Sequence, residues 1–498
     1  MADSGRTLTY AQYEGASNQF AHYLRTVGLQ PGDHVAILME NHETMLVAEG
    51  GAERVGLHYT CVNSYLAAVE AAYIVDNCRA EVVVTSAAKL PLVRDLVPLC
   101  PGVRHWVVVG DPAPPAPFES WERVVETQPT GYVEDEQLGA AMLYSSGTTG
   151  QPKGILRDLP GTHPSLEPEG SSTQRRRWGL DEGCVYLSPA PLYHAAPQGS
   201  VSLALRAGAL AVIMESFGPE RFLDLVAEHR VTHSQVVPTM LSRILKLPAE
   251  VRAAADVSSL RTIVLSSAPC PPAVKAAIIE WWGPVVMEFY AASEGIGFTV
   301  CTSEEWLAHP GTVGKAAVGE ILILDDAKQP VPTGTPGTIW FKNDVAFNYF
   351  GDAGKTAGSR DERLGASTVG DVGYLDDEGY LYLTDRKSFM IISGGVNIYP
   401  QETENLLITH PKVLDAAVLG VPDDDLGEVV KAVVQPMDGI EPTSELEREL
   451  IDFCRDSIAH FKCPRSVDFV DELPRLPTGK LYKRVLRERY WGDRETRI

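Results

Sequence analysis

No C-x-x-C pair occurs in this sequence. Its eight cysteines stand singly at 61, 78, 100, 184, 270, 301, 454 and 463. That scatter speaks against a zinc ribbon or a disulfide framework and fits a reducing compartment, the cytoplasm. Positive charge is scarce: Lys+Arg number 43 against 66 Asp+Glu, a formal net charge of −23. Nucleic acid, whose general binders draw affinity from basic surfaces, is not an expected partner, and neither is an anionic membrane surface. No apolar run approaches the roughly 20 residues that cross a bilayer, so no membrane span is expected. MADSGRTLTYAQY lacks both the basic start and the apolar stretch of a secretory leader. Internal repeats and long low-complexity tracts are also missing.

What is present is ordinary globular material, 44% hydrophobic and 22% charged over 498 residues. At roughly 100–200 residues per domain, that length holds two to four domains or subdomains. Tyr13, Ala16, Phe20, Leu24 and Val27 recur at helical spacing. HVAIL (34–38), EVVVTS (81–86) and HWVVVG (105–110) read as strands, with helical stretches at 64–78 and 88–97 between them. Helices alternating with short β-branched runs predict an α/β fold with a largely parallel sheet. Residues 156–178, rich in Pro, Gly, Ser and charge, predict a mobile surface segment. Strands dominate 315–350. After residue 385 the pattern becomes that of a compact α+β unit of about 110 residues. The boundary is expected near Asp385–Ser388, giving an N-terminal domain 1–386, a hinge at 385–388 and a C-terminal domain 389–498.

One stretch carries more information than the rest. YSSGTTGQPKG (144–154) follows the short apolar strand AAMLY (140–144) and holds three glycines, two serines, two threonines and one lysine. Glycine lets backbone approach a ligand closely, and successive amides with a lysine can wrap a polyphosphate. It is not a P-loop, because Pro152 stands five residues after Gly147 and Gly154 follows Lys153. Alone it reads as a surface loop. Four further stretches stand with it: FYAASEG (289–295), STVGDVGYLDDEGYLYLTDRK (367–387), ISGGVNIYPQETE (392–404) and LPRLPTGKLYKR (473–484). Each alone has a bland reading as a capped turn or a solvated charge.

Together, in this order, these motifs resemble the adenylate-forming superfamily: acyl-CoA synthetases, the adenylation domains of peptide synthetases, and luciferases. The resemblance runs over essentially the whole chain and is nearest to bacterial acyl-CoA and 4-coumarate-CoA ligases. It implies a large N-terminal domain of parallel-rich α/β subdomains with a β-barrel-like part, and a small mobile C-terminal α+β domain. It implies ATP, Mg2+ and coenzyme A as cofactors, a small-molecule acid as substrate, and formation of an acyl-adenylate with release of pyrophosphate. By the same resemblance, Ser145, Ser146, Gly147, Thr148, Thr149 and Lys153 hold the β- and γ-phosphates. Ser293 touches the α-phosphate where the family usually has Thr, and Glu294 ligates Mg2+. Tyr290 stacks on adenine beside the Ser267–Pro269 backbone, Ala268 included. Asp371 takes the ribose hydroxyls, with Arg386 assisting. Lys480 reaches the carboxylate and the α-phosphate. Gly394 and Gly395 line the thiol tunnel after the C-terminal domain rotates.

Departures from the family pattern are also visible. Ser388 stands at the expected hinge, where Asp or Lys is usual. ERLGASTVGD (362–371) lacks the aromatic common before that motif. The 156–178 insert is long, and its Arg175–Arg177 run reads either as a solvated face or as a contact for coenzyme A phosphates. In PLYHAAP (191–197), His194 stands where amino-acid-activating relatives carry Asp, which favours a plain acid. His194 either lines the acyl pocket or is a buried structural histidine. Three functions stay open: an acyl-CoA ligase for a fatty or aryl acid; an adenylating enzyme with another acceptor, either a carrier protein or, in a diazotase, an aromatic amine attacking activated nitrite; and a nucleotide sensor, against which Lys153, Glu294, Asp371 and Lys480 speak. A homodimer and a separate acceptor substrate stay open as partners.

Overall fold

The computed structural model describes residues 1–145, 151–343, 347–475 and 481–492. The chain divides into two compact units, one of Met1–Gly147, Gln151–Gln235 and Ala346–Ala357, the other of Thr148–Gly150, Val236–Val345 and Gly358–Ile498.

The first unit is built on a parallel sheet. Its strands run in the order Phe118–Ser120, His105–Val109, Val82–Ser86, His34–Leu38, His58–Cys61, Ala140–Ala141. HVAIL and VVVTS are buried at every position, as expected of strands covered on both faces. The helix Tyr10–Thr26 starts at a capping box between Thr9 and Gln12 and packs on the helix Glu43–Arg54. Close approach is possible there because Gly50 and Gly51 have no side chains; a Cβ on either would run into Tyr13 or Phe20. A second set of parallel strands places Val185–Ser188 between Leu210–Ile213 and His233–Val236.

The apolar stretch 140–144 is not one strand. Ala140–Ala141 pairs with His58–Cys61, and Leu143–Tyr144 pairs with Gly154–Leu156. Met142 lies between them, its N–H donating to Tyr59 O and its carbonyl accepting from Thr60 Oγ1. The segment 156–178 also departs from expectation. Its second half is a helix, Glu169–Trp178, closed by Gly179 in the left-handed conformation. Polar composition masked it, although the acidic start, three arginines in the last turn and a terminal glycine are helix-end signals.

In the second unit, Thr262–Leu265 runs parallel to Val286–Ala291, followed by antiparallel Phe298–Cys301 and Lys315–Val318. The expected barrel-like part is an antiparallel sheet centred on Gly337–Lys342, with Glu320–Leu324 on one side and Asp371–Leu375 and Leu381–Arg386 beyond. The C-terminal α+β part pairs Val413–Asp423 with Gly427–Pro436 along their whole length. Leu407, Val418, Ala432, Leu446, Leu450 and Cys454 form its core. The α/β class and the small C-terminal α+β domain are as expected. Among the described residues, no helix is long and apolar enough to cross a membrane.

Candidate active site

The Gly/Ser/Thr stretch is bracketed by two strands that pair antiparallel, Leu143–Tyr144 and Gly154–Leu156, and Asn348–Tyr349 adds a third strand. Its neck is closed twice: Ser145 N–H donates to Lys153 O at 2.9 Å, and Lys153 N–H to Ser145 Oγ at 3.3 Å. Lys153 Nζ lies 4.8 Å from the centre of the Tyr349 ring, close enough for a cation–π contact. Ser145 and Lys153 are thus brought together, while Ser146, Gly147, Thr148 and Thr149 lie outside the described residues.

In the second unit three expected residues meet. Asp371 and Arg386 are directly opposite in the antiparallel pair Asp371–Leu375 and Leu381–Arg386, which is what the DDEG turn does to a carboxylate and an arginine 15 residues apart. Arg386 Nε donates to Asp371 Oδ1 at 2.9 Å, and Tyr290 Oη donates to Asp371 Oδ2 at 2.7 Å. Asp371 is 9% exposed. Burial first, and the Asp371 charge second, push the Tyr290 phenol far above its ordinary pKa, so it stays a donor. Each carboxylate oxygen is therefore oriented and keeps a lone pair for a further donor.

Tyr290 is the last residue but one of the strand Val286–Ala291, and the turn after the strand carries Ser293 and the buried Glu294. Gly295 N–H closes that turn on Ala292 O at 2.9 Å. Two residues on, Gly297 leaves room for Phe341, whose ring a Cβ would overlap; Tyr290 and Phe341 have ring centres 6.1 Å apart. Beside Ala268, Ser267 has φ of +77°. A non-glycine residue held left-handed is strained by about 1–3 kcal/mol, and such residues cluster at functional sites.

Gly394 and Gly395 form the two-residue turn of the hairpin Ile391–Ser393 and Val396–Ile398, with φ of +56° and +79°, the backbone that favours Gly-Gly. Both are exposed. Lys480 lies outside the described residues. The base of its loop is described: Arg475 clamps Asp415 with Nη2 to Oδ1 at 2.6 Å and Nε to Oδ2, and Tyr482 N–H donates to Pro474 O at 2.7 Å. Around the expected hinge, Asp385 accepts from the N–H of Arg386 at 2.6 Å and of Gln401 at 3.2 Å. Burial raises its pKa, and the nearby Lys483 lowers it. Lys483 pairs with Glu404 at 2.7 Å and lies over the Phe389 ring.

His194 is the residue before the helix Ala195–Arg206. Asn41 holds the approach to it, with Nδ2 donating to Ala190 O at 3.1 Å and Met214 O at 2.8 Å while Oδ1 accepts from Leu192 N–H at 2.8 Å. One turn beyond His194, Gln198 Nε2 reaches Glu49 Oε1 at 3.2 Å and Cys61 Sγ at 3.0 Å, and the Cys61 thiol donates to Glu49 Oε1 at 3.2 Å. Burial pushes the Glu49 carboxyl up to about 8 and holds the Cys61 thiol well above its usual range. None of Glu49, Cys61 and Gln198 was expected from sequence. The one available signal is the i, i+4 spacing of His194 and Gln198.

The chain matches two families along its length: residues 1–349 match the AMP-binding enzyme family, and residues 402–480 the AMP-binding enzyme C-terminal domain. The chain belongs to the AMP-binding enzymes. It is 30% identical over 503 residues to a long-chain-fatty-acid–CoA ligase of Mycobacterium tuberculosis, covering 97% of this chain and 93% of that one. It is 31% identical over 506 residues to a fatty acid–[acyl-carrier-protein] ligase of Streptomyces coeruleorubidus, covering 99% and 94%. Among solved structures, the anthranilate CoA ligase AuaEII in complex with anthranoyl-AMP superposes with a TM-score of 0.83 at 26% identity, covering 97% and 92%. This AMP-binding enzyme is an adenylate-forming, ATP-using ligase of the acyl-CoA synthetase type.

Proposed function

We propose that this AMP-binding enzyme activates a carboxylic acid, fatty or aryl, and transfers the acyl group to coenzyme A. The observation that carries the reading is Asp371, oriented on both oxygens by Tyr290 and Arg386 and able to accept the two hydroxyls of a ribose. In the first half-reaction, a carboxylate oxygen of the acid forms a bond to the α-phosphorus of ATP. The bond to the bridging oxygen breaks, and pyrophosphate leaves. Two anions meet in this step, so positive charge must be placed where negative charge develops. Lys153 and the hydroxyls of Ser145, Ser146, Thr148 and Thr149, with the Gly147 backbone, take the β- and γ-phosphates. Ser293 donates to the α-phosphate. Lys480 bridges carboxylate and α-phosphate. Tyr290 and the Ala268 backbone flank the adenine. His194 lines the acid's pocket.

Glu294 is the residue for Mg2+. Among the described residues no three His, Cys, Asp or Glu groups cluster as a metal site. A single buried carboxylate fits an ion that takes most of its ligands from water and phosphate oxygens. When bound, that ion neutralises phosphate charge.

In the second half-reaction the thiol sulfur attacks the acyl carbon, and AMP leaves with the electrons of the acyl–oxygen bond. We place the two domains at 1–386 and 389–498, with Asp385–Ser388 as the hinge that exchanges Lys480 for the Gly394–Gly395 turn. A carrier-protein thiol in place of coenzyme A is the second reading, favoured by the relative from Streptomyces coeruleorubidus.

The test is substrate-dependent release of AMP and pyrophosphate across fatty acids, aryl acids and nitrite, each with and without coenzyme A and an aromatic amine. Carboxylate turnover that consumes coenzyme A is the expected result. Turnover with nitrite alone overturns the reading. Lys480→Ala is expected to slow adenylation by roughly 10²–10³-fold with ATP binding retained, and an unchanged rate removes Lys480 from the step.

A further inference from the structure

Glu49 and Gln198 are 7% and 4% exposed, respectively. Such buried polar groups normally have all their hydrogen bonds. Here each is satisfied on one side only. Glu49 Oε1 takes both printed bonds, from Cys61 and Gln198, and Gln198 spends Nε2 on Glu49 and Cys61. Among the described residues, Glu49 Oε2 and Gln198 Oε1 have no hydrogen-bond partner, and neither is among the atoms sealed from solvent. Two polar atoms of this buried group are thus free to meet a further partner. Water can pair with atoms so placed, and a ligand group of matching polarity can take the place of that water.

Their place in the fold points to what the occupant is. Cys61 ends the strand His58–Cys61, and the loop carrying His194 follows the strand Val185–Ser188. Both are carboxyl ends of parallel strands, where ligands of α/β folds lie. Gln198 follows His194 by one helical turn, on the same face of the same helix. The pair therefore lies deeper along the wall that His194 begins.

We propose that Glu49 and Gln198 read the far end of the acid, selecting a substrate that carries a hydroxyl remote from its carboxylate. This rests on the acid-activating function proposed above. The hydroxyl accepts from the Glu49 carboxyl at Oε2 and donates to Gln198 Oε1. Glu49 suits the donor role because burial keeps its carboxyl protonated near neutrality. Cys61 positions the pair by donating to Oε1; its thiol is held far from ionisation and is not a nucleophile. A deoxy substrate would leave both atoms unpaired, the circumstance in which polar pockets discriminate most strongly.

The experiment compares kcat/KM for pyrophosphate release with matched acids: 4-coumarate against cinnamate, 4-hydroxybenzoate against benzoate, and ω-hydroxy against plain fatty acids. The wild type is expected to favour the hydroxylated member of at least one pair by roughly 10-fold or more. Glu49→Leu and Gln198→Leu should each collapse that ratio toward unity. Glu49→Gln, which keeps a neutral donor, should retain it. A purely structural role would lower both rates together and leave the ratio in place, which overturns the inference. So does a wild type that handles both members of every pair within about twofold. Pyrophosphate release with nitrite but with no carboxylic acid defeats the acid-activating function itself, and this inference falls with it.

Discussion

Asp371 and Glu49 are two carboxyls of nearly equal exposure, 9% and 7%, in opposite surroundings. Asp371 faces a guanidinium and a phenol, both donors, one of them a fixed cation. Glu49 faces a thiol and an amide, with Glu53 adding a like charge nearby. A buried anion is tolerable when paired and hydrogen-bonded, and a buried carboxyl without a cation keeps its proton instead. The first residue is suited to receiving hydroxyl protons, the second to offering one. Burial alone decides neither role; the charge of the partner does.

Removing the charged member should have the largest effect. Asp371→Ala leaves Arg386 and Tyr290 facing an empty site and is expected to cost about 4 kcal/mol of transition-state stabilisation, roughly 10³ in kcat/KM for ATP. A loss below about threefold would show that the ribose does not bind there. The neutral member should announce itself through pH. With a folded pKa of about 8 against an ordinary 4.5, Glu49 binds its proton more tightly in the folded protein. Its contribution to stability is complete below pH 4.5 and is lost as pH rises through 8, by about 5 kcal/mol in all. Urea unfolding of wild type and Glu49→Gln across that window checks it: the variant should gain on the wild type as pH rises, and parallel curves would mean that Glu49 is already ionised. The smallest effect belongs to the link between them in kind, the neutral donor on the charged carboxylate. Tyr290→Phe should cost about 1 kcal/mol, near fivefold in KM for ATP, with folding retained. A larger loss in kcat than in KM would assign Tyr290 to the chemical step instead.

The legible parts of this protein were those where residue type and spacing carry the chemistry locally. YSSGTTGQPKG read as a Gly/Ser/Thr loop after a short strand, and the motif at 367–387 singled out both Asp371 and Arg386. The buried strands HVAIL and VVVTS were legible because parallel sheets covered on both faces write continuous apolar runs. The helix Glu169–Trp178 was not, since its sequence has little apolar periodicity and its ends rather than its face identify it. Met142, where one apolar run divides between two sheets, has no local signal at all.

By itself, the sequence determined the fold class and the family chemistry, since those depend on short contiguous motifs and on the alternation of helices with strands. Only the tertiary structure decided that Tyr290 would join Asp371 across 81 positions, and that Glu49 would meet Gln198 across 149. The physical reason is the same in both cases. A side chain's proton affinity and hydrogen-bonding role are set by groups within a few ångströms, and in this α/β fold those neighbours come from distant strands and helices.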